Sequence, residues 1–394
     1  MTSIEQTCYT SMINIRNTNV FASQLHEIPY DNYSILKYNK RCITPENILK
    51  LGQYRSVIIQ KDTGHLVCTS PSKSVPIDWF MEMYPPQDVI AEEFIEGTMI
   101  NAFWDDIDDK WMLNTKGVVG AICGYYVEQT FYEMFIDACA FCNLQLCKLD
   151  KNICYSFVLK HPNNRIVGVI KHPQIYLIRA YKIHPNQVIE HIALPGTNYE
   201  FRQMGIGFEH SSVQIPAKYD FTCYDELFDR FASYKKTPYN VMGVVVKHVY
   251  LSHIHSKIRN PTYNDVRSLR GTTPKLDLHY LWLRKNNKLM DFLGYYPEYK
   301  ADMYKYRKAL HIFTGQLYNN YVNCYIYKDN NLCYFSDIYQ RHMKRIHHIY
   351  LTKLVPINKS INKQYVIDYV NNLDIPIQVQ SIRYDASTQS FDKM

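Results

Sequence analysis

The stretch that most constrains this chain runs from Asp88 to Ala121, DVIAEEFIEGTMINAFWDDIDDKWMLNTKGVVGA. Apolar residues alternate with polar ones on either side of the acidic run Asp105, Asp106, Asp108 and Asp109, which is the pattern of two β-strands around a turn. The first strand carries Glu93, Phe94, Glu96, Gly97 and Thr98; the second starts at Trp111 and ends in Thr115, Lys116 and Gly117. The four aspartates resemble a metal loop but lack the glycine and terminal glutamate of a calcium loop, so a solvated turn explains them better.

Other segments fix the surrounding plan. Thr44 and Pro45 open a short helix closed by Gly52, and YRSVIIQ, DTG and HLVCTSP read as strand, tight turn and strand. FYEMFIDACAFCNLQLC is a helix, CYSFVLKHPNNRIVGVI a strand and turn, DELFDRFASY a helix, and VMGVVVK a buried strand. From Pro274 onward apolar and aromatic residues recur at spacings of three and four, the signature of helices packing one face. The reading divides the chain into residues 1–50 packed on a core, a core at 51–275, and an all-α domain at 276–394.

With 394 residues, 46% hydrophobic and 21% charged, the chain can bury a sizeable core and fits no disorder class. The start MTSIEQTCYTSM lacks a basic end before an apolar core, and no apolar run is long enough for a bilayer span, so an intracellular, cytoplasmic protein with no membrane partner is expected. Eleven irregularly spaced cysteines read as reduced thiols with no disulfide-linked partner. Cys139, Cys142, Cys147 and Cys154 begin with a C-x-x-C, yet Phe131, Phe135, Cys139, Cys142 and Leu146 share helical spacing, and a buried stripe is preferred to zinc. His342, His347 and His348 have no neighbouring cysteine or carboxylate to complete a ligand set. No metal site is expected. A net charge of +7 suits a polyanionic partner without demanding one, and the 35 tyrosines fit the coding bias of an AT-rich genome.

The hairpin resembles that of the covalent nucleotidyltransferases, most closely the tRNA-repair RNA ligases of T-even bacteriophages, which read E-K-x-D-G-S and then T-K-G-S. Glu93, Gly97, Thr98, Thr115, Lys116 and Gly117 match; Glu96 stands at the aspartate, Val118 at the last serine, and Phe94 at the nucleophilic lysine. A second match, to F-E-L-x-x-P-x-N-R-I-V, is carried by Phe157, Leu159, Pro162, Asn164, Arg165, Ile166 and Val167, with Val158 replacing a glutamate. A third, to E-G-x-V-V, is carried by Gly243, Val245 and Val246, with Met242 replacing a glutamate. In the closing K-x-K segment Lys257 takes the first place and Arg259 the second. The chain also looks like the ligase-like proteins of large eukaryotic DNA viruses, which would place it in host cytoplasm or a virus factory.

The resemblance spans roughly residues 50 to 275. It implies an α+β, ATP-grasp-like nucleotidyltransferase core of antiparallel sheets and helices, with the helical C-terminal domain as an appendage. It also places Arg55 and Lys73 where phosphates of ATP or an RNA end are bound, beside Lys116, Lys257 and Arg259. Arg267, Arg270 and Lys275 follow, and with Lys247 they form a basic run suited to an RNA backbone, Tyr263 among them being positioned to stack on a base. A phenyl ring has no lone pair with which to attack phosphorus, and Val158 and Met242 remove two carboxylates. Three readings stand: an RNA-binding protein without self-adenylylation; an active ligase using ATP and Mg with Lys73 or Lys116 as a displaced nucleophile; or an interaction protein of the virion on a re-used fold. A one-residue bulge would turn Glu93 or Glu96 into the pocket in place of Phe94.

Overall fold

Period-two alternation produces fourteen strands among the described residues. In chain order they are β1 (Tyr9–Met12), β2 (Leu25–Pro29), β3 (Tyr33–Tyr38), β4 (Val57–Gln60), β5 (Leu66–Cys68), β6 (Val89–Glu93), β7 (Thr98–Asp105), β8 (Lys110–Asn114), β9 (Ile153–Lys160), β10 (Gln174–Ile183), β11 (Val188–Ile192), β12 (Lys218–Tyr219), β13 (Gly243–His248) and β14 (His255–Arg259). The structure, a computed structural model, describes residues 9–12, 22–251 and 253–391; the parts of the N-terminal segment at 1–8 and 13–21 lie outside the described residues. The chain divides into two compact units, Met1–Ser268 and Leu269–Met394.

The first unit holds three antiparallel sheets, ordered β1-β11-β10-β9-β7-β8, β12-β6-β13-β14 and β2-β3-β4-β5. Residues 25–38 thus supply two strands to the same sheet as β4 and β5. One face of the six-stranded sheet carries Ile100, Ala102, Tyr155, Phe157 and Leu177 against helix α3, where the helices of this unit are α1 (Ile48–Leu51), α2 (Ile77–Met83), α3 (Phe131–Phe141), α4 (Asn198–Arg202), α5 (Tyr224–Phe231) and α6 (Pro261–Arg270). Thr130 and Glu133 close a capping box at the start of α3. The opposite face packs Phe103, Cys154 and Tyr181 on Tyr33, Ile35 and Ile58 of the third sheet. Cys139 and Cys142 are buried in the α3 core with Phe131 and Phe135, as a helical stripe requires, whereas Cys154 belongs to the other layer and Cys147 is exposed.

The four-stranded sheet of β12, β6, β13 and β14 covers one face with α2 and α5. Ala91, Val244, Val246 and Ile258 pack there on Phe80, Leu227 and Phe231. Its alternate residues face the other way and build the site.

The second unit is all helical: α7 (Leu276–Lys285), α8 (Leu289–Tyr295), α9 (Lys300–Tyr321), α10 (Asp337–Ile349), α11 (Lys363–Asn371) and α12 (Ile375–Phe391). Asn287, at φ +56°, sits in the break between α7 and α8. Tyr280, Phe292, Phe313, Leu317, Met343, Ile346, Val366 and Val370 form its buried stripes. His342 hydrogen-bonds the Tyr369 hydroxyl at 2.9 Å and His347 stacks on Tyr325 with centroids 3.9 Å apart. The architecture is α+β, with antiparallel sheets in the first unit and helices alone in the second.

Candidate phosphate-binding cleft

The first strand of the expected hairpin is not one strand. It breaks at Phe94–Gly97: β6 ends at Glu93 in the four-stranded sheet, and β7 begins at Thr98 in the six-stranded one. Only β7 and β8 form a hairpin, closed by the pair Asp105–Lys110. The break has a steric cause. Gly97 adopts φ +151°, and a Cβ there would lie 2.4 Å from the Leu159 carbonyl oxygen and 2.6 Å from Val158 Cγ1, so only glycine lets the crossing segment lie this close to β9. Asn164 pins the start of β7 by donating to Thr98 Oγ1 at 2.8 Å.

A cleft of about 460 Å³ opens beside this crossing. Register explains its lining. Val245 lies between Glu92 of β6 and Lys257 of β14, Lys247 is paired with His255, and Gly243 with Arg259, so period-two alternation sends these side chains to the face opposite the α2–α5 core. Gly243 has φ +129°, and a Cβ would meet the Ile258 carbonyl oxygen at 2.1 Å, which makes glycine obligatory in that pairing.

Phe94, Val158 and Met242, the three apolar replacements, all line the cleft. Phe94 lies beneath two cations: Lys257 Nζ is 4.9 Å and Arg259 Cζ 5.2 Å from its ring centroid. That arrangement uses the ring quadrupole to hold cations that repel each other. Val158 packs with Ile95 and Tyr176 in a small apolar cluster flanked by Met99 and Ile178.

The surrounding charge is positive. Arg55, Lys116, Lys257, Arg259 and Arg267 line the cleft, and none of them forms an ion pair with a carboxylate among the described residues. Burial, Arg55, Arg259 and Lys73 together push the Lys257 amine down to about 7. Burial and the neighbours Arg55, Lys40, Lys37 and Lys73 push Lys116 down to about 8, with its amine 5.0 Å from the Tyr38 ring centroid. Lys73 is lowered by burial, then by Arg55, Arg259 and Lys40, which places it in the same field although it does not line the cleft. Mutual repulsion of this kind is relieved by an anion.

Several expected residues lie elsewhere. Glu96 is buried and turned out of the cleft; its carboxylate accepts the Val167 and Gly168 amides at 3.1–3.2 Å and so fixes the turn after Asn164. Glu93, not Glu96, reaches the cleft, alongside Phe94. Tyr263 is a core residue with no exposed surface, so it cannot stack on a base: its position on α6 falls on the inward face. Arg270 is likewise buried, donating to the Tyr299 hydroxyl at 2.9 Å and lying over that ring, which removes it from any nucleic-acid surface. Lys275 is exposed at the N-cap of α7 in the second unit. Lys247 lines the cleft but is buried in an ion pair with Glu92, so it is not a solvent-facing member of a basic run. Burial and Arg179 push Lys247 down to about 7, while Glu92, despite its burial, is held below the ordinary carboxylate range by Lys247 and Arg179.

Arg179 was not singled out, yet it lines the cleft and adds to the effect of burial in lowering Lys247 and, after Lys257, His255. Its signal was present: one guanidinium inside the apolar strand QIYLIRAYKI, where the β9–β10 register shifts between Leu177 and Arg179.

Of the carboxylates in the lining, Glu92 is committed to Lys247 and Glu93 remains; Val158 and Met242 offer no carboxylate oxygen and Phe94 no amine. Among the described residues no group of three or more His, Cys, Asp or Glu is arranged to hold a metal. The arrangement can hold phosphate oxygens through cations above an apolar floor.

Comparison with known proteins gives the following. No family model and no curated protein matches the chain. Among solved structures, a chain assigned as an ATP-dependent DNA ligase from Aquifex aeolicus aligns at 13% identity and TM-score 0.39, over 73% of this chain and 68% of that one. An archaeal ATP-dependent RNA ligase aligns at 10% identity and TM-score 0.36, over 70% and 67%. A Naegleria gruberi RNA ligase mutant with ATP and Mn aligns at 12% identity and TM-score 0.35, over 66% and 85%. These are partial overlaps at low identity, so the architecture rests on the registers described above, and the chain is similar in part to solved ATP-dependent ligases.

Proposed function

We propose that this chain is an RNA-ligase-like nucleotidyltransferase relative that binds the phosphate backbone of RNA in its cleft without forming a covalent nucleotide intermediate. The observation that carries the reading is the convergence of Arg55, Lys116, Lys257, Arg259 and Arg267 around Phe94, with no carboxylate paired to any of them among the described residues. The sequence motifs at Glu93, Gly97, Thr115, Asn164 and Gly243 support the relationship to ligases; the residues at 94, 158 and 242 argue against the family's chemistry. Free thiols throughout the described cysteines favour a cytoplasmic setting.

Binding to a single-stranded RNA of mixed sequence, measured at several salt concentrations, tests the reading. At pH 6, where Lys257 is protonated, affinity should fall steeply with salt, and Lys257→Ala with Arg259→Ala should flatten the dependence by about 1.3 in slope, at about 0.7 per phosphate contact. Absence of binding at low salt would remove RNA from the account.

The reading with a displaced nucleophile keeps one supporting observation: Lys116 lines the cleft with its amine lowered to about 8. Incubation with α-labelled ATP and magnesium, followed by denaturation, discriminates. Retained acid-labile label that is lost in Lys116→Ala or Lys73→Ala would establish an active ligase in place of the binding protein.

A further inference from the structure

The positive charge of the cleft does not stop at its lining. The loop that carries Lys116 is seated on the third sheet: the Tyr30 hydroxyl donates to the Gly117 carbonyl at 3.0 Å, and the Lys116 amine lies over the ring of Tyr38 on β3. Lys37, the residue before Tyr38, places its Nζ 3.5 Å from where a Cβ on Gly117 would stand. Strand β3 then runs into a single helical turn, Lys40–Cys42, fixed at its start by the Arg41 amide donating to Asn39 Oδ1 at 3.0 Å, with Lys40 and Arg41 exposed. None of Lys37, Lys40, Arg41 and Lys73 forms an ion pair with a carboxylate among the described residues.

These cations act on one another as a series. Burial is the largest influence on Arg259, Lys257, Lys73 and Lys116. After it, Arg267 lowers Arg259, Arg259 lowers Lys257 and Lys73, Lys40 lowers Lys73 and Lys116, and Lys37 also lowers Lys116. The positive potential thus passes from α6 through the cleft and out onto β3. A single phosphate meets only part of such a series, whereas a chain of phosphates relieves all of it.

We infer that β3 and the turn after it continue the cleft as a track for single-stranded RNA, with Lys37 and Lys40 taking the phosphates of nucleotides that have passed Lys116. This inference rests on the reading of the cleft as an RNA site. Both lysines precede the span of residues 50 to 275 that resembles the ligases, so the track is built on a segment outside that resemblance.

The test compares a 5′-phosphorylated uridine trinucleotide with a uridine dodecanucleotide on the full chain, by fluorescence anisotropy at pH 6, where Lys116 and Lys257 carry their protons. The dodecanucleotide should bind the tighter. Lys37→Gln with Lys40→Gln should flatten its salt slope by about 1.4, at about 0.7 per contact, and weaken it roughly 25-fold at about 0.1 M salt. The trinucleotide should change less than twofold, which also shows that the variant is folded. Lys285→Gln with Lys308→Gln, the same change of charge in the second unit, should leave both unaltered. Binding of the dodecanucleotide no tighter than the trinucleotide, or a loss under threefold in the Lys37 and Lys40 variant, would overturn the track and leave the cleft reading in place. Poly-glutamate bound as tightly as the dodecanucleotide, with the same loss in that variant, would overturn RNA as the occupant of the track. No binding of either RNA would overturn the cleft reading and the track together.

Discussion

On the proposed reading, the depressed amines in the cleft make RNA binding depend on pH in a calculable way. Lys257 at about 7 and Lys116 at about 8 are both lysines whose protonated form the folded site disfavours, so both are charged below those values and neutral above them. Between pH 6 and pH 8.5 the charge on Lys257 falls from about 0.9 to near zero and that on Lys116 from about 1 to about 0.25, a combined loss of about 1.6 charges. At about 0.7 per contact on a single strand, the slope of log K against log salt should flatten by about 1.1, and affinity at about 0.1 M salt should weaken roughly tenfold. Bound phosphate raises both amines, so the same linkage predicts proton uptake on binding near pH 8. Fluorescence anisotropy of a labelled single strand across salt and pH reads both quantities, and calorimetry in two buffers reads the protons. An unchanged slope across this range, or the same flattening in Lys257→Met with Lys116→Met, would refute the assignment of charge to these two side chains.

Other perturbations have equally definite outcomes. Gly97→Ala should destabilise the first unit by about 2–4 kcal/mol, combining a strained backbone with a Cβ forced against the Leu159 carbonyl; chemical denaturation measures it, and a loss below about 0.5 kcal/mol would contradict the crossing geometry. Burial, then Arg179 and other neighbours, holds His191 near 3 and His253 near 4, so the unfolded chain takes up protons first as pH falls from about 6.5; stability should be full above that value and decline towards pH 4, as acid-melting curves would show. Phe94→Lys should yield no retained label from α-labelled ATP, because Val158 and Met242 remain and a third cation joins Lys257 and Arg259; labelling in this variant would show that the nucleophile alone was missing.

Much of this architecture was legible because it depends on local pattern. The turn at Asp62–Gly64 follows from turn chemistry and occurs; the helix read over 131–147 from its spacing occurs but ends at Phe141, and the strand read over 241–247 from its apolar run spans Gly243–His248. The split of Glu93 from Thr98 into different sheets was not legible, since alternation continues across the break and only Gly97 hints at it. Arg55, Lys116, Lys257 and Arg259, far apart in sequence, line one cleft, the last two through the register of β14 with β13. Tyr263 and Arg270 were misread because a helix places neighbouring residues on opposite faces, and a basic run in sequence says nothing about which face is buried. Glu96 was misread for a related reason: after a sheet change, counting alternate residues from Glu93 no longer gives direction.

The crossing at Phe94–Gly97 also bears on how such a site can change over time. Both of its ends are locked in ladders, Glu93 opposite Val244 and Thr98 opposite Leu159. Inserting or deleting one residue would turn β7 over, sending Ile100 and Ala102 away from the α3 core and exchanging them with Asn101 and Phe103. The segment is therefore open to changes of letter but closed to changes of length. A lineage can replace the chemistry at position 94 while inheriting the span between the two sheets unaltered, and comparisons among relatives should find substitutions in this tetrapeptide without gaps.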